Sequence, residues 1–355
     1  MLKSRRQRLL RFFDESDLDL LLIEQPINLR YLSGFSGSEG ALLLTPEGGW
    51  FICDSRYTVQ AGREVSGLSV VEQAQRQEGI AELIRQAGAR RVGFEAAHTT
   101  VSAHQGMVTR LPEVTLVPLG QELDAIRNCK DAQELQLLAD VAALASSALG
   151  SVLPLVCPGM VEADLALELE FAMRRRGSEG AGFDIIVASG VRGAMPHGRA
   201  STKQIEAGDL VTIDFGAVQQ GYHSDETVTV AVGAVNERQQ RIYQVVLEAH
   251  DRAIASIRPG ITCRELDAVA RDYIHEQGFG QYFGHGLGHG VGLAVHEKPV
   301  VSPRSDAVVE EGMVFTIEPG IYIPGFGGVR IEDTVAVTAD GCRLLTTASK
   351  QLQIL

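Results

Sequence analysis

Residues 210–232 read LVTIDFGAVQQGYHSDETVTVAV, two β-rich runs joined at the turn-like Gln219-Gln220-Gly221. Enrichment in Val, Ile and Thr around a glycine turn predicts a hairpin of two antiparallel strands. The midpoint of Asp214 and Asp225 falls between Gln219 and Gln220. In a ladder without a bulge that sets the two aspartates opposite one another, roughly 4.5–5.5 Å apart at Cβ. Two carboxylates opposed among Val, Ile and Phe repel each other, and burying them unpaired is costly. A cation between them removes the conflict.

The pattern returns in residues 313–337, MVFTIEPGIYIPGFGGVRIEDTVAV, where Glu318 and Glu332 flank a Pro-Gly-Phe-Gly-Gly turn with Gly325 midway. Taken singly, an acid in a strand is more often exposed to solvent or ion-paired than a ligand. Two pairs of matching geometry instead describe an oxygen-rich cage, which suits hard or borderline cations and can hold two of them about 3.5–4 Å apart. Residues 284–297, GHGLGHGVGLAVHE, add His285, His289 and His296 among glycines that rule out a regular HExxH helix and let the backbone approach a ligand closely. An imidazole added to carboxylates favours Mn, Co, Fe or Zn over a pure Mg or Ca site. His197 precedes the first hairpin in AMPHGRAS, residues 194–201.

Outward from these motifs the chain divides. Residues 1–122 alternate helical and strand patterns: an amphipathic start, the apolar run 18–23, a hairpin pattern in ALLLTPEGGWFICD (residues 41–54), and a helix passing into a strand in GIAELIRQAGARRVGFE (residues 79–95). They predict an α/β domain. Residues 123–355 open with a long helix over 130–149, then a second helix over 161–176, the first hairpin, helices over 237–257 and 264–277, the glycine-histidine loop and closing strands. Two helix-pair-plus-strand units in succession predict an α+β domain with internal pseudo-duplication.

The 355 residues carry a formal charge of −13 with 45% hydrophobic and 22% charged residues. This is a soluble globular composition whose acidity excludes a phosphate-binding groove, so no nucleic-acid partner is expected. Five widely spaced cysteines, Cys53, Cys129, Cys157, Cys263 and Cys342, form no CxxC pair and read as reduced thiols of a cytoplasmic protein. No secretory leader and no run of about 20 apolar residues is evident, so no membrane association is expected.

Together MPHGRAS, the first hairpin, GHGLGHGVGLAVHE, FTIEPGIYI and GVRIEDTVAV resemble the pita-bread-fold metallopeptidases, which include aminopeptidase P, prolidase and methionine aminopeptidase. The resemblance spans nearly the whole chain and implies a creatinase/prolidase-like N-terminal domain before a pita-bread catalytic domain. It implies two divalent ions, Mn first with Co or Zn as alternatives: Asp214 on one ion, His289 and Glu318 on the other, Asp225 and Glu332 bridging both. Water between the ions would be activated as the nucleophile, with Glu318 as proton acceptor and shuttle. It assigns His197, His285 and His296 to substrate and intermediate, and Arg330, with Tyr222, to substrate binding or to a layer behind the ligands. It also implies a homodimer. The pattern departs at Val228, where arginine is common, and at Thr202, where aspartate is common.

Residues 28–45 and 54–61 resemble the short bacterial aminopeptidase P members, which puts release of the N-terminal residue from Xaa-Pro-peptides first and Xaa-Pro dipeptidase (prolidase) second. A metal-free creatinase-like hydrolase or peptide-binding module of the same fold is the more remote reading.

Overall fold

The computed structural model describes residues 2–120 and 123–355, and the expected boundary after residue 122 falls at its edge, with residues 121 and 122 outside the described residues. The chain forms two compact units, Met1–Ile126 and Arg127–Leu355.

The first unit carries one six-stranded sheet: β1 (Leu20–Ile23), β2 (Ala41–Thr45), β3 (Gly48–Cys53), β4 (Ser69–Glu72), β5 (Arg91–Glu95) and β6 (Thr115–Leu119), in the order β4-β3-β2-β1-β5-β6. β1–β2 and β2–β3 are antiparallel, and the other neighbours are parallel. The 41–54 hairpin forms as expected, but Thr45 pairs with Gly48, so Pro46-Glu47 alone make the turn and both glycines belong to β3. Leu20, Leu22, Leu43 and Ile52 pack on Ile80 and Ile84 of the helix Arg76–Gln86. That helix is followed by Gly88 at φ 68°, a left-handed position near its end.

The second unit repeats one plan twice. Its first half sets the helices Ala132–Val152 and Glu162–Arg175 against β8 (Ile186–Ser189), β9 (Leu210–Phe215) and β12 (Glu226–Ala231), with β7 (Gly180–Ala181), β10 (Ala217–Gln219) and β11 (Tyr222–His223) forming a small sheet beside them. The second half sets the helices Glu237–Ser256 and Cys263–Glu276 against β13 (Gly288–Gly290), β14 (Glu297–Val301), β15 (Val314–Ile317), β18 (Asp333–Val337) and β19 (Cys342–Leu344), with the ribbon β16 (Gly320–Ile323) and β17 (Gly327–Arg330) alongside. Each half has its own apolar core. Three of the four helices open with a capping box, at Asp131/Glu134, Asn236/Gln239 and Thr262/Glu265, which satisfies orphan N–H groups and fixes where each begins. The stretch Ala132–Leu155 is long and apolar enough to cross a membrane. Here Val141, Ala145, Ala148, Leu149 and Val152 fill the first core, which accounts for its apolar character.

One register expectation needs correction. Asp214 pairs with Thr227 rather than Asp225, because Gln219 pairs with Tyr222 and the turn is centred between Gln220 and Gly221. Both turn residues have positive φ, 48° and 73°, the backbone of a two-residue type I′ turn, and that geometry sets the centre one residue later than the acids' midpoint. Asp225 is therefore two residues along from the position facing Asp214, on the same face as a diagonal neighbour. The second hairpin keeps its expected register: Ile317 pairs with Asp333 and Gly320 with Arg330, so Glu318 is in line with Glu332.

Candidate metal and active site

The ladder opens between Glu318 and Glu332, and each takes a different backbone partner. Glu318 N–H donates to Leu287 O at 2.8 Å, and Glu332 N–H donates to Thr227 O at 3.1 Å. The second link stitches the two hairpins together acid against acid, because Thr227 is the residue opposite Asp214. The first brings the glycine-histidine segment alongside. Glycine is required there by close approach: a Cβ on Gly288 would lie 1.9 Å from Thr316 O, and one on Gly290 would lie 2.1 Å from Lys298 O.

Asp214, Asp225, His289, Glu318 and Glu332 consequently line one cavity of about 680 Å³ with His197, His285, His296 and Arg330. His289 Nε2 lies 3.5 Å from Asp225 Oδ2 and 3.5 Å from Glu318 Oε1. Ligand atoms of Asp225, His289 and Glu332 lie within 4.8 Å of one another. Arg330 Nη2 donates to Asp214 Oδ2 at 2.6 Å, whereas the buried Asp214 Oδ1 has no partner. Thr227 Oγ1 donates to Glu332 Oε2 at 2.6 Å.

These groups fit a cation better than they fit one another. His289 donates from Nδ1 to Gly290 O at 3.1 Å, which leaves the Nε2 lone pair facing two carboxylates. Burial, assisted by His296, pushes that imidazole down to about 4, so it stays neutral at neutral pH. Burial pushes Glu318 up to about 8, opposed by Arg330 and reinforced by Asp214. Asp225 and Glu332 are raised well above the usual carboxylate range, by burial first and then by neighbouring carboxylates. A neutral imidazole lone pair, an orphaned carboxylate oxygen and mutually repelling acids are what divalent-cation ligands look like without the ion. The five residues could hold one or two such ions.

A pH dependence follows for the metal-free protein. A buried acid with a raised pKa retains a proton that the unfolded chain releases, so its contribution lowers stability as pH rises toward the folded value. His285 and His289, both pushed down to about 4 chiefly by burial from an ordinary value of 6.5, act oppositely, and their effect tails off above 6.5. Between pH 6.5 and 8 the three raised carboxylates, Glu318, Asp225 and Glu332, outweigh what remains of the histidines' effect. Chelator-treated protein should therefore lose melting temperature across that interval in a fluorimetric melt, and added divalent metal should abolish the loss; a flat or rising metal-free profile would contradict the assignment.

Residues 136–339, more than half of the chain, match the metallopeptidase family M24, and residues 5–129 match the creatinase/prolidase N-terminal domain. The chain belongs to metallopeptidase family M24. It is 40% identical to an Xaa-Pro dipeptidase of Pyrococcus furiosus, covering 99% of this chain and 100% of the relative. Among solved structures, an Xaa-Pro dipeptidase from Bacillus anthracis superposes with a TM-score of 0.98 at 42% identity, covering all of both chains. An X-Pro aminopeptidase from Thermotoga maritima superposes with a TM-score of 0.93 at 35% identity, over 99% of this chain and 100% of that one. As an M24 member the chain is a divalent-metal peptidase with a creatinase-type N-terminal domain and a pita-bread catalytic domain.

Tyr222 is not among the residues that line this cavity. Its hydroxyl donates to Glu134 Oε1 at 3.0 Å. Pairing with Gln219 next to the tight turn places it in the small side sheet instead. Val228 packs in the first core and does not line the cavity.

Tyr322 is the residue the sequence reading missed. Its hydroxyl accepts from Arg330 Nη1 at 3.0 Å and lies 2.9 Å from His285 Nε2. His285 donates from Nδ1 to Gly286 O at 2.8 Å, so Nε2 is the acceptor and the tyrosine donates to it. The signal was available: Glu318, Gly320 and Tyr322 alternate onto one face, and the bare Gly320 lets the phenol fold back, since a Cβ there would lie 2.4 Å from the hydroxyl.

Behind the cavity, Asp225 and Glu332 each have an acidic neighbour on the following residue. Glu226 follows Asp225 and Asp333 follows Glu332, and Lys350 Nζ binds both, at 3.2 Å from Asp333 Oδ1. Ser146 and Thr346 hydroxyls donate to the same two carboxylates. Lys350, with His250 Nε2 at 3.2 Å from Asp333 Oδ2, offsets the charge of the rear acids, and the network ties the two central strands together.

Proposed function

We propose that this protein is an Xaa-Pro dipeptidase, hydrolysing the bond before a C-terminal proline. The observation that carries it is the end-to-end likeness, over both domains, to Xaa-Pro dipeptidases of Pyrococcus furiosus and Bacillus anthracis. The sequence reading ranked aminopeptidase first; these relatives favour its alternative, while the Thermotoga maritima X-Pro aminopeptidase keeps the first reading as the second one here.

In this proposal Asp214, Asp225, His289, Glu318 and Glu332 hold two divalent ions, Mn by preference, since four carboxylates with a single imidazole form a predominantly oxygen donor set. When bound, the ions lower the pKa of a water and polarise the scissile carbonyl. Glu318 takes the proton of the attacking water and passes it to the proline nitrogen, which must be protonated to leave. His285 is kept neutral at neutral pH, with its proton on Nδ1 and Nε2 bound to Tyr322. Arg330 orients Asp214 through the 2.6 Å bond and, through Tyr322, holds His285. In this reading His197 and His296, which are exposed and line the cavity, hold the substrate and the developing oxyanion. An Xaa-Pro bond offers no amide hydrogen and a rigid ring, so a cavity that grips the ends of a short substrate suits it better than a groove that pairs with extended backbone.

The test is substrate length. With Mn restored after chelation, an Xaa-Pro dipeptide should be hydrolysed at least tenfold more efficiently than the matching Xaa-Pro-Xaa tripeptide. Release of the first residue from the tripeptide at the higher efficiency would make the protein an aminopeptidase.

A further inference from the structure

One row of cross-strand neighbours runs from the metal-binding acids to the outer side of the cavity. Glu332 bridges Thr227, Thr227 pairs with Asp214, Asp214 pairs with Ile186, and Ile186 bridges Arg199. Directly opposed residues project to the same face of a sheet, and Glu332, Asp214, Ile186 and Arg199 do all line the same cavity. Neighbouring strands lie about 4.8 Å apart, so the Arg199 backbone is two spacings, about 10 Å, from that of Asp214.

The two arginines of the cavity are in opposite circumstances. Arg330 is buried and committed to Asp214, Tyr322, Thr227 and Pro196 O. The Arg199 side chain is 80% exposed, and its guanidinium lies 2.8 Å from an Asp184 carboxylate that is itself 69% exposed. An ion pair so open to water is weak and exchangeable. Arg199 is thus the cavity arginine, among the described residues, that can be offered to a substrate. Its backbone is anchored, since its carbonyl accepts from Arg192 Nη2 at 2.8 Å.

We propose that Arg199 is a specificity-determining residue that receives the free C-terminal carboxylate of a bound dipeptide. This rests on the dipeptidase reading given above and supplies its means of measuring length. One extended residue spans about 3.3–3.6 Å. A dipeptide with its scissile carbonyl at the acids presents its carboxylate one residue further along, on the way to Arg199, and the long arginine side chain closes the remainder. The planar guanidinium matches a carboxylate bidentately, and the exchange replaces the exposed Asp184 contact with one less screened by water. A longer substrate has a neutral amide at this point and gains nothing from the charge.

The experiment compares KM and kcat for an Xaa-Pro dipeptide and for the same compound with its carboxylate amidated, in Mn-loaded wild type, Arg199→Met and Arg199→Lys. Arg199→Met should raise KM for the dipeptide about tenfold with kcat little changed, and leave KM for the amide unaltered. Arg199→Lys, which keeps the charge without the fork, should recover part of the loss. An unchanged dipeptide KM in Arg199→Met, or an equal rise for dipeptide and amide, overturns the role of Arg199 while leaving the dipeptidase reading intact. Wild type that leaves the dipeptide uncut overturns both.

Discussion

Glu318→Gln should lower kcat for an Xaa-Pro dipeptide by about 10²–10⁴-fold, the usual contribution of a positioned acid-base group. The substitution preserves shape and the contact at 3.4 Å with Thr316 Oγ1, but removes the proton acceptor. It also removes one like charge from a buried acidic cluster in which Glu318 raises both Asp225 and Glu332. The metal-free variant should therefore melt higher than the metal-free parent near pH 8, while its turnover collapses. Opposite signs for stability and activity separate a functional role from a structural one. A kcat within threefold of wild type would remove Glu318 from the mechanism.

Asp225→Asn should be more severe, because Asp225 is central to the cage rather than at its edge. Its carboxylate is buried, reaches 3.5 Å from His289 Nε2, and is raised by that burial first and then by Glu332, Asp214 and Glu318. Losing this charge weakens retention of both ions, and turnover should fall by on the order of 10³ or more. The fold should persist, since Asp225 O still accepts from Thr334 Oγ1 at 2.7 Å and that bond does not depend on the side chain. Circular dichroism unchanged beside lost turnover is the expected pair of results; full activity would exclude Asp225 from the cage.

Which of this was legible in the sequence depended on whether local rules or tertiary packing decided the outcome. Glu318 and Glu332 were placed correctly because Gly325 sits at the centre of a symmetric turn. Asp214 and Asp225 were placed on the right face but two residues out of register. A type I′ turn needs two left-handed residues, and Gln220 takes that backbone at φ 48° without being glycine. The helices were readable from apolar spacing, and the capping pairs at residues 131/134, 236/239 and 262/265 explain where three of them start. The glycine-histidine segment was readable as irregular but not as the short strand β13, because its close approach to Thr316 and Lys298 is set by partners distant in sequence. Tyr222 was assigned through the family resemblance alone, whereas Tyr322, whose hydroxyl joins Arg330 to His285, was not singled out at all. The row from Glu332 to Arg199 crosses five segments separated by up to about a hundred residues, and only the folded sheet reveals it.

The central claim is that these five residues form a cage for divalent metal. Titrating Mn into chelator-stripped protein and counting tightly bound ions after desalting addresses it directly. Two ions per chain in the wild type, falling to one or none in Asp225→Asn, is the predicted result. A wild type that retains no Mn, Co or Zn, or an Asp225→Asn variant that retains as much metal as the wild type, would contradict it.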